Sequence, residues 1–462
     1  MKITLIQMEP KISGFNRGDF TCLNGLKSPA LASLGALFQA EGHEVTIIQQ
    51  GGLTDVEMLH KIIKARPDLV GFSSMSYDYP ATCAVIKNLP HSISVMIGGP
   101  HITIVPDQLP KRKNCFGVIG EGERAALNLL RGNSDMRGVC NWQNGEIQIN
   151  PRHPRIESLD SLPFGIPSAD IITKPFVGKL MLPTVRNQVN TEVTVAQRGC
   201  TFNCKFCSSP RIWGSAVIAR SVENVASEFA LWQKRGVNCA FLSDLTTNVK
   251  PEYLKSLFRA LIAAENKIKF YAMFRLADMQ GQAMFDEELI SLAARAGVIK
   301  IGVGLESFSL ITQKRYHKIY DLALAKLFFQ LCDRYGILTK GFCIISPEDD
   351  EESIKTSLDI LRILSPDEIR ISFEIDFSPS ALSKAFHGGY LHRLHTDEPV
   401  RPGKLKPEQQ LTARNWLRKS YYESPIYRNH VIVKHVLFPQ LRPAYLEYFE
   451  HLEVLGVKIG IF

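Results

Sequence analysis

Short apolar strands alternate with helices along most of the chain, and this alternation constrains the fold more than any other feature of the sequence. In the first 130 residues the strand signals are 3–6, 45–48, 69–73, 95–97 and 116–119. Strands and helices that alternate at this spacing predict a doubly wound parallel sheet. The ligand crevice of such a sheet lies beyond the carboxyl ends of its strands.

The interval 140–190 interrupts the alternation. A hairpin turn is predicted at Asn144-Gly145, and prolines at 151, 154, 163, 167, 175 and 183 exclude long regular elements. Six further strand signals follow, at 192–196, 239–243, 268–272, 299–304, 340–345 and 369–373. Repeated βα units with right-handed crossovers predict a full or partial parallel barrel, whose catalytic groups lie at the C-terminal ends of its strands. After about residue 385 only one helix, from 406 to about 422, is predicted.

Composition narrows the class of protein. No apolar run reaches the ~18 residues that a membrane span needs, so we expect a cytoplasmic protein without a membrane partner. The net charge of +8 over 462 residues is mild, so a nucleic acid is not an expected partner. Three of the ten cysteines crowd into eight residues. In a cytosolic chain this crowding indicates metal or redox chemistry rather than disulfides.

The three crowded cysteines are Cys200, Cys204 and Cys207, in a segment that directly follows the first predicted barrel strand. They therefore lie in the first βα loop, at the face where barrels perform chemistry. A structural zinc site takes four protein ligands, and neither a fourth cysteine nor a suitably spaced histidine is close by in the sequence. On an iron–sulfur cube, three thiolates leave one iron open for a substrate or cofactor.

This spacing, with Phe206 before the last cysteine, resembles the radical SAM superfamily. The resemblance implies that the cysteines hold a [4Fe–4S] cluster whose open iron chelates the amino and carboxylate groups of S-adenosylmethionine. One-electron reduction then cleaves the sulfonium, and a 5′-deoxyadenosyl radical abstracts a hydrogen from the substrate. The implied partners are a small-molecule or peptide substrate and an external one-electron reductant of the flavodoxin or ferredoxin type.

The resemblance continues through the barrel and implies four contacts with S-adenosylmethionine. Asp244 stands where the family meets the methionine amine, and Arg275 where an arginine faces the carboxylate. Glu306 and Ser307 belong to a pattern similar to the family's "glycine-x-glutamate-serine". In a purely structural interpretation, Asp244 caps a helix and Arg275 pairs with a barrel carboxylate. Ser346 replaces a glycine that many members carry near the adenine.

The first sheet is similar to the cobalamin-binding domain that is fused to many radical SAM enzymes. The residues that carry this likeness follow three predicted strands and are Ser73, Ser74, Gly98, Gly99, Pro100, Gly120, Glu121 and Gly122. Glycines at strand ends let the backbone approach a large flat ligand closely. The resemblance covers residues 1–385 and implies three parts: a cobalamin-binding-like Rossmann domain (1–138), a linker (139–190) and a partial (β/α)6 TIM-type barrel (191–385). The remaining residues, 386–462, are predicted to form a mostly helical substrate or capping region.

One departure affects the cobalamin assignment. Many cobalamin proteins ligate cobalt with the histidine of Asp-x-His-x-x-Gly, and none of the twelve histidines here has an aspartate two residues before it. Either the corrinoid binds by shape and backbone contacts, or the domain has lost cobalamin and only helps to hold substrate. His101 is a candidate replacement ligand. In a corrinoid site of this kind, a Cβ at Gly99 is expected to meet the ring.

Three functions follow from the resemblance. With methylcobalamin, the expected outcome is methylation of an unactivated C–H position in natural-product or peptide biosynthesis. Without it, the alternatives are epimerisation, which needs a thiol hydrogen donor such as Cys332 or Cys343, and dehydration. A non-catalytic cobalamin or redox sensor is a third possibility, but no DNA-binding or signalling module is recognisable in the sequence.

Overall fold

A computed structural model describes residues 1–8, 27–50, 53–171, 191–389 and 403–441, together with 391, 399, 449, 452–453 and 456–457. Residues 172–190 of the predicted linker and most of the last twenty residues lie outside this part of the chain. No helix within the described ranges is long and apolar enough to cross a membrane.

The N-terminal domain is a seven-stranded sheet in the order β2-β1-β3-β4-β5-β6-β7. Its strands are β1 (Lys2–Gln7), β2 (Glu44–Gln49), β3 (Leu69–Ser73), β4 (Ser94–Gly98), β5 (Cys115–Val118), β6 (Val139–Gln143) and β7 (Glu146–Ile149). Its helices are α1 (Pro29–Ala40), α2 (Asp55–Ala65), α3 (Tyr79–Lys87), α4 (Pro100–Ile104) and α5 (Gly122–Arg131). The first five strands pair in parallel, which confirms the predicted doubly wound sheet.

The order of the strands fixes where a ligand can bind. Strand β1 pairs in parallel with both β2 and β3, so the direction in which strands are added reverses at β1. In open α/β sheets the crevice at such a reversal, outside the carboxyl ends of the strands, is the usual ligand site. Here those ends are Gln7, Ser73 and Gly98.

The hairpin predicted at Asn144-Gly145 forms, but it belongs to the sheet and not to the linker. Both turn residues have positive φ, 51° and 87°, as a two-residue hairpin turn of type I′ requires. Strand β6 pairs antiparallel with β5, Gly117 opposite Cys140. We therefore place the end of this domain at 149 rather than at the predicted 138, because backbone hydrogen bonds tie the hairpin to the sheet edge.

The second domain is a partial barrel of six parallel strands in the order β15-β14-β13-β12-β11-β8, as predicted. Its strands are β8 (Thr191–Thr194), β11 (Cys239–Leu242), β12 (Lys269–Phe274), β13 (Val298–Glu306), β14 (Leu338–Ile345) and β15 (Glu368–Phe373). The short strands β9 (Gln197–Arg198) and β10 (Ile218–Ala219) pair antiparallel and close the loop that carries the three cysteines.

Helices α7 (Val222–Lys234), α8 (Pro251–Ala263), α9 (Glu287–Ala296), α11 (Leu322–Arg334) and α12 (Glu351–Leu364) cover the outside of the barrel. The shorter helices α6 (Ser209–Trp213) and α10 (Leu310–Tyr316) lie next to the cysteine loop, and α13 (Pro379–His387) packs against the core of the N-terminal domain. The side chains of Ser221, Asp286, Ser309 and Asp350 each accept a hydrogen bond from the first turn of the helix that follows. Such N-caps stabilise a helix start by ~1 kcal/mol each.

The C-terminal helices α14 (Pro407–Tyr422) and α15 (Pro425–Leu437) pack where β15 begins, at the opposite end of the barrel from the cysteine loop. The hydroxyls of Tyr421 and Tyr427 donate to the carbonyls of Pro366 and Asp367, just before β15. Two contacts of the described C-terminal residues reach the C-terminal ends of the barrel strands. The Lys404 N–H donates to the Pro347 carbonyl at 2.9 Å, and the Arg414 guanidinium lies over the Phe373 ring, 5.1 Å from its centroid. A capping role for the region remains a proposal.

A buried ion cluster fixes α15 to the barrel. The Lys434 ammonium donates to Asp333 at 2.8 Å and to Asp367 at 2.6 Å, and His430 Nε2 lies 3.1 Å from Asp367. Asp333, Asp367 and His430 converge as metal ligands do, with ligand atoms within 4.8 Å of one another. Because the Lys434 ammonium already supplies the positive charge among them, this cluster is a structural ion network rather than a metal site.

Candidate active site between the two domains

A cavity of about 520 Å³ lies between the N-terminal sheet and the mouth of the barrel. On the sheet side it is lined by seven of the eight residues that the sequence predicted for the crevice, all except Ser74. Ser74 is buried instead, and its hydroxyl donates to the Asp78 carboxylate. On the barrel side the lining includes residues next to the cysteine triplet, among them Arg198, Gly199, Ser208 and Ser209. The cavity thus extends from the predicted crevice to residues that flank the cysteine triplet, while the three cysteines themselves do not line it.

The glycines of the crevice have two different physical roles. Gly99 has a φ of +98°, and a Cβ there would lie 2.7 Å from both the backbone N and O of Ser74. The expected effect of a Cβ at Gly99 on a corrinoid therefore needs correction, because the side chain meets the protein's own backbone first. At Gly98 a Cβ finds nothing closer than 3.8 Å, and at Gly122 nothing closer than 3.5 Å. At these two positions a Cβ would make only ordinary van der Waals contacts with the protein.

His101 is not a candidate ligand in this geometry. Its ring is fully buried, with Nδ1 3.1 Å from Ser76 Oγ and Nε2 2.9 Å from Gln108 Oε1, and it stacks on Tyr79. Burial lowers the pKa of His101 to about 4. Both ring nitrogens are engaged and His101 does not line the cavity, so a replacement cobalt ligand at this position is not supported.

The three cysteines of the triplet are free thiols in the loop that β9 and β10 close. They pack with Phe202 and Met284, and the Cys207 N–H donates to the Cys204 carbonyl at 3.1 Å. Burial raises the pKa of the Cys207 thiol, and the neighbouring Cys204 and Cys200 add to this effect. Three thiols grouped in one sheltered loop form the donor set of an iron–sulfur cube with one open iron. The residues present therefore fit the predicted cluster.

The close approach between the two strands that flank this loop depends on Gly199. Its φ is +107°, and a Cβ there would lie 2.0 Å from the Ala216 carbonyl oxygen. Only glycine lets the two sides of the loop pass this closely. Gly199 therefore fixes the entry of the chain into the cysteine triplet.

Arg275 reaches the triplet directly. Its Nη1 donates to Cys204 Sγ at 3.0 Å, and its guanidinium lies over the Phe202 ring, 4.1 Å from the centroid. Its Nη2 is buried and finds no partner within the described part of the chain. The alternative that Arg275 only pairs with a barrel carboxylate is not what the structure shows. Its Nη2 donor suits an anionic group beside the cluster, as predicted for the carboxylate of S-adenosylmethionine.

Asp244 follows the end of β11 and is 4% exposed. Its Oδ1 accepts hydrogen bonds from the backbone N–H groups of Ala196 (2.7 Å) and Gln197 (3.1 Å), so Asp244 caps the turn after β8 rather than a helix. Its Oδ2 has no partner among the described residues. Burial raises the pKa of Asp244 to about 7. A cation at Oδ2, such as the amine predicted here, would hold the carboxylate in its charged form.

Glu306 and Ser307 lie at the end of β13, but their side chains have other partners. Glu306 has a φ of +57°, and its Oε1 accepts from Lys318 Nζ at 2.7 Å. The Ser307 hydroxyl accepts from the Ser309 N–H at 3.2 Å. Their predicted contacts with S-adenosylmethionine remain predictions, and Ser307 has a local role in the turn before α10.

The two candidate hydrogen donors lie in the hydrophobic core. Cys332 is fully buried in α11, and Cys343 alternates on β14 with Phe342 and Ile344, so that it faces the covering helices. Burial raises the pKa of both thiols well above the usual range. Neither thiol is therefore placed to donate hydrogen to a substrate in the barrel, and the structure does not support either of the two candidate donors.

Sequence reasoning missed the residues that join the two domains. Arg155, from the predicted linker, places its Nε 3.2 Å from Glu121 and donates to the carbonyls of Trp213 and Ala216 beyond the cysteine loop. Arg198 Nη1 lies 2.7 Å from Glu123 at the start of α5. Glu121, predicted for the crevice, is therefore also part of the domain joint. The sequence signal was the segment from Asn150 to Pro163, which resembles the linker of radical SAM enzymes that carry a cobalamin-binding domain.

The sheet, the barrel and the cysteine loop define a two-domain protein in which a ligand crevice and a three-cysteine loop border the same cavity. Residues 194–361 match the model of the Radical SAM superfamily, and residues 24–130 match that of the B12 binding domain. The chain thus carries a radical SAM domain preceded by a B12-binding domain. Its cofactors are accordingly a [4Fe–4S] cluster, S-adenosylmethionine and cobalamin.

Relatives with curated names include several methyltransferases. The uncharacterized methyltransferase PH0819 of Pyrococcus horikoshii is 25% identical, over 98% of this chain and 94% of its own. The cytidylyl-2-hydroxyethylphosphonate methyltransferase of Streptomyces wedmorensis is 26% identical, over 64% of this chain and 60% of its own. The solved structure of the methyltransferase TsrM from Kitasatospora setae, with cobalamin and [4Fe–4S] cluster bound, has a TM-score of 0.62 at 16% identity and covers 83% of this chain and 78% of its own. The likeness to TsrM is one of fold.

Proposed function

We propose that this protein methylates an unactivated C–H position of a small molecule in a biosynthetic pathway, with cobalamin as methyl carrier. The observation that carries the proposal is the cavity between the domains, which is lined both by the crevice glycines and by Gly199, Ser208 and Ser209 next to the cysteine triplet. When bound, the cofactors supply a transferable methyl group and the initiation of radical chemistry. The named methyltransferases among the relatives support the same reaction class.

The chain's own residues position these cofactors. Gly98 and Gly122 leave room for a flat ligand against the strand ends, because neither backbone position is crowded by the protein. Arg275 offers a buried N–H donor beside Cys204, and Asp244 offers a buried carboxylate oxygen on the neighbouring strand end. A cation and an anion so placed orient a zwitterionic amino-acid group at the open iron.

The proposal also includes an electron donor and a cellular compartment. The cluster must receive an electron, so we assign a protein reductant of the flavodoxin or ferredoxin type as partner. Free thiols and a reducible cluster suit the cytoplasm, where disulfides are rare. The alternative reactions, epimerisation and dehydration, are less well supported, because the two thiols suggested as hydrogen donors lie in the core.

The test is corrinoid binding and methyl loading on anaerobically reconstituted protein. We expect a base-off, histidine-off cobalamin spectrum, and transfer of a deuterated methyl group from S-adenosylmethionine to the reduced corrinoid. Gly98→Val should lower corrinoid affinity at least about tenfold, because a buried clash of 1.4 kcal/mol already has that effect. The control Ala84→Val adds bulk on an exposed position of α3 outside the cavity. Protein that binds no hydroxocobalamin would exclude the methyl-transfer function.

A further inference from the structure

We infer that helix α10 and the exposed edge of the cysteine loop form the docking surface for an acidic electron-carrier protein. We call this surface the α10 face and define it as Lys205, Leu310, Ile311 and Lys314. The inference rests on the proposed function, because a cluster that cleaves S-adenosylmethionine needs one electron from outside the protein. The donor gives up that electron, and the cluster accepts it without loss or gain of atoms.

The α10 face is firmly attached to the cysteine loop. The Lys205 N–H donates to the Tyr316 carbonyl at 3.1 Å, and the Phe206 and Tyr316 rings lie 4.8 Å apart. The Tyr316 hydroxyl in turn donates at 2.7 Å to Glu374, which also pairs with Arg315. A protein bound on α10 is therefore held at a fixed, short separation from Cys204 and Cys207.

The side of α10 that faces solvent is apolar where a surface helix is usually polar. Ile311 is 77% exposed, the highest value among the large hydrophobic residues that the structure describes, and its neighbour Leu310 is 56% exposed. Contiguous exposed apolar residues rimmed by polar ones commonly mark a protein–protein contact. Here the rim is basic, because Lys205 and Lys314 are both exposed and neither forms an ion pair with any residue in the described ranges.

The charge of the surrounding chain identifies the partner. From Val193 to Val222 the sequence holds four basic residues and no Asp or Glu, and from Ser307 to Tyr320 it holds three Lys or Arg and again no acid. Four of these seven cations pair with carboxylates from elsewhere in the chain, namely Arg198, Arg220, Arg315 and Lys318. The unpaired positive charge of the α10 face is therefore that of Lys205 and Lys314. The exposed acids Asp321 and Glu348 lie at the margin, and Glu348 pairs with Arg315. Such a surface attracts an acidic protein and accelerates its association by long-range steering. Small flavin or iron–sulfur electron carriers with an acidic surface have the matching charge.

The test compares a protein donor with a small reductant on the same enzyme. The double variant Ile311→Asp/Lys314→Glu removes the apolar contact and reverses one charge, without touching a cofactor ligand. With a reduced bacterial flavodoxin of net negative charge, we expect 5′-deoxyadenosine formation to fall at least about tenfold, within the range that steering supplies. With dithionite the rate should stay within about twofold of the original protein. The matched control Lys355→Glu/Val436→Asp alters exposed residues on α12 and α15.

A second readout is the binding of oxidised flavodoxin, measured by calorimetry at two salt concentrations. We expect binding to weaken with salt in the original protein and to be at least about tenfold weaker in the double variant. The docking surface would be refuted if the double variant lost 5′-deoxyadenosine formation equally with flavodoxin and with dithionite. Unchanged activity with flavodoxin would also refute it. Binding of the α10 face to anionic vesicles in place of flavodoxin would refute it as well. Absence of 5′-deoxyadenosine with dithionite in the original protein would instead refute the proposed function.

Discussion

At the scale of single residues, the contact between Arg275 and Cys204 bears on the redox chemistry of the cluster. A hydrogen bond to a ligating sulfur stabilises the reduced, more negative cluster and so raises its reduction potential. Arg275→Gln removes the charged donor that lies 3.0 Å from Cys204 Sγ. We expect a more negative midpoint potential in an EPR-monitored redox titration, with the iron content of about four per chain retained.

The control for this experiment is Arg259→Gln, which removes an exposed arginine paired with Glu288 on the outside of the barrel. An unchanged potential in Arg275→Gln, together with a normal iron content, would mean that the contact with Cys204 is lost when the cluster is present.

Asp244 makes a prediction about pH. Its pKa is raised by burial from 3.8 to about 7, so the folded protein favours the protonated form. The stability that this proton provides is complete below pH 3.8 and is lost as the pH rises through 7. Asp244→Asn keeps an acceptor for the Ala196 and Gln197 N–H groups and has no charge to bury. At pH 8 the cofactor-free variant should be more stable than the original by up to about 4 kcal/mol, an upper bound from ~1.36 kcal/mol per pKa unit.

Urea unfolding at pH 5 and pH 8 measures this difference. The advantage of Asp244→Asn should shrink toward pH 5, and S-adenosylmethionine should bind it more weakly than it binds the original. An advantage that is equal at both pH values would contradict the raised pKa.

At the scale of elements, α15 is attached through one buried ammonium. Lys434→Ala leaves Asp367 and Asp333 without their main counter-charge, and an uncompensated buried charge typically costs about 3–5 kcal/mol. The pKa of Asp367 is held well below its usual range despite burial, by Lys434 and then His430. We therefore expect a large drop in the midpoint of thermal unfolding, whereas Lys419→Ala, at an exposed position of α14, should have little effect.

If Lys434→Ala unfolds at the same temperature as the original protein, water or His430 has replaced the ammonium. If Zn²⁺ raises the unfolding temperature of the variant, a metal ion has taken the place of the ammonium, since the remaining Asp333, Asp367 and His430 are metal-type ligands.

The elements also show what sequence patterns can predict. Apolar runs of strand length separated by helices were enough to place both sheets, because each pattern reflects burial along a single element. The direction of a side chain was harder to infer. The pairing of β13 shifts register twice, near Phe270 and near Glu306, and such shifts change which face a strand residue occupies. On β14 the alternation is regular, but a strand pattern alone does not say which of its two faces points inward, and Cys343 packs on the side of the covering helices.

At the scale of the whole molecule, the domain joint is expected to hold the two walls of the cavity at a fixed relative position. Arg155→Ala removes contacts with Glu121 and with two carbonyls beyond the cysteine loop. We expect cobalamin affinity and iron content within about twofold of the original, because neither site loses a direct contact, but a several-fold slower methylation of the reduced corrinoid. Arg137→Ala, which removes an exposed pair with Asp135 within one domain, is the control.

Equal rates in the two variants would show that the joint does not set the geometry of transfer. Contacts such as these join residues far apart in the chain, and no local sequence pattern predicts them. The cluster cysteines were predictable because three ligands lie within eight residues, whereas the joint depends on how two folded domains meet.

The ammonium of Lys434 has a consequence for the order in which the chain folds. Asp367, just before the last barrel strand, precedes Lys434 by 67 residues, so it leaves the ribosome well before its counter-ion. Until then the nascent barrel carries a carboxylate that resists burial, and strand β15 has no complete site in which to settle. Synthesis of the C-terminal helices thus sets the moment at which β15 can complete the six-stranded sheet.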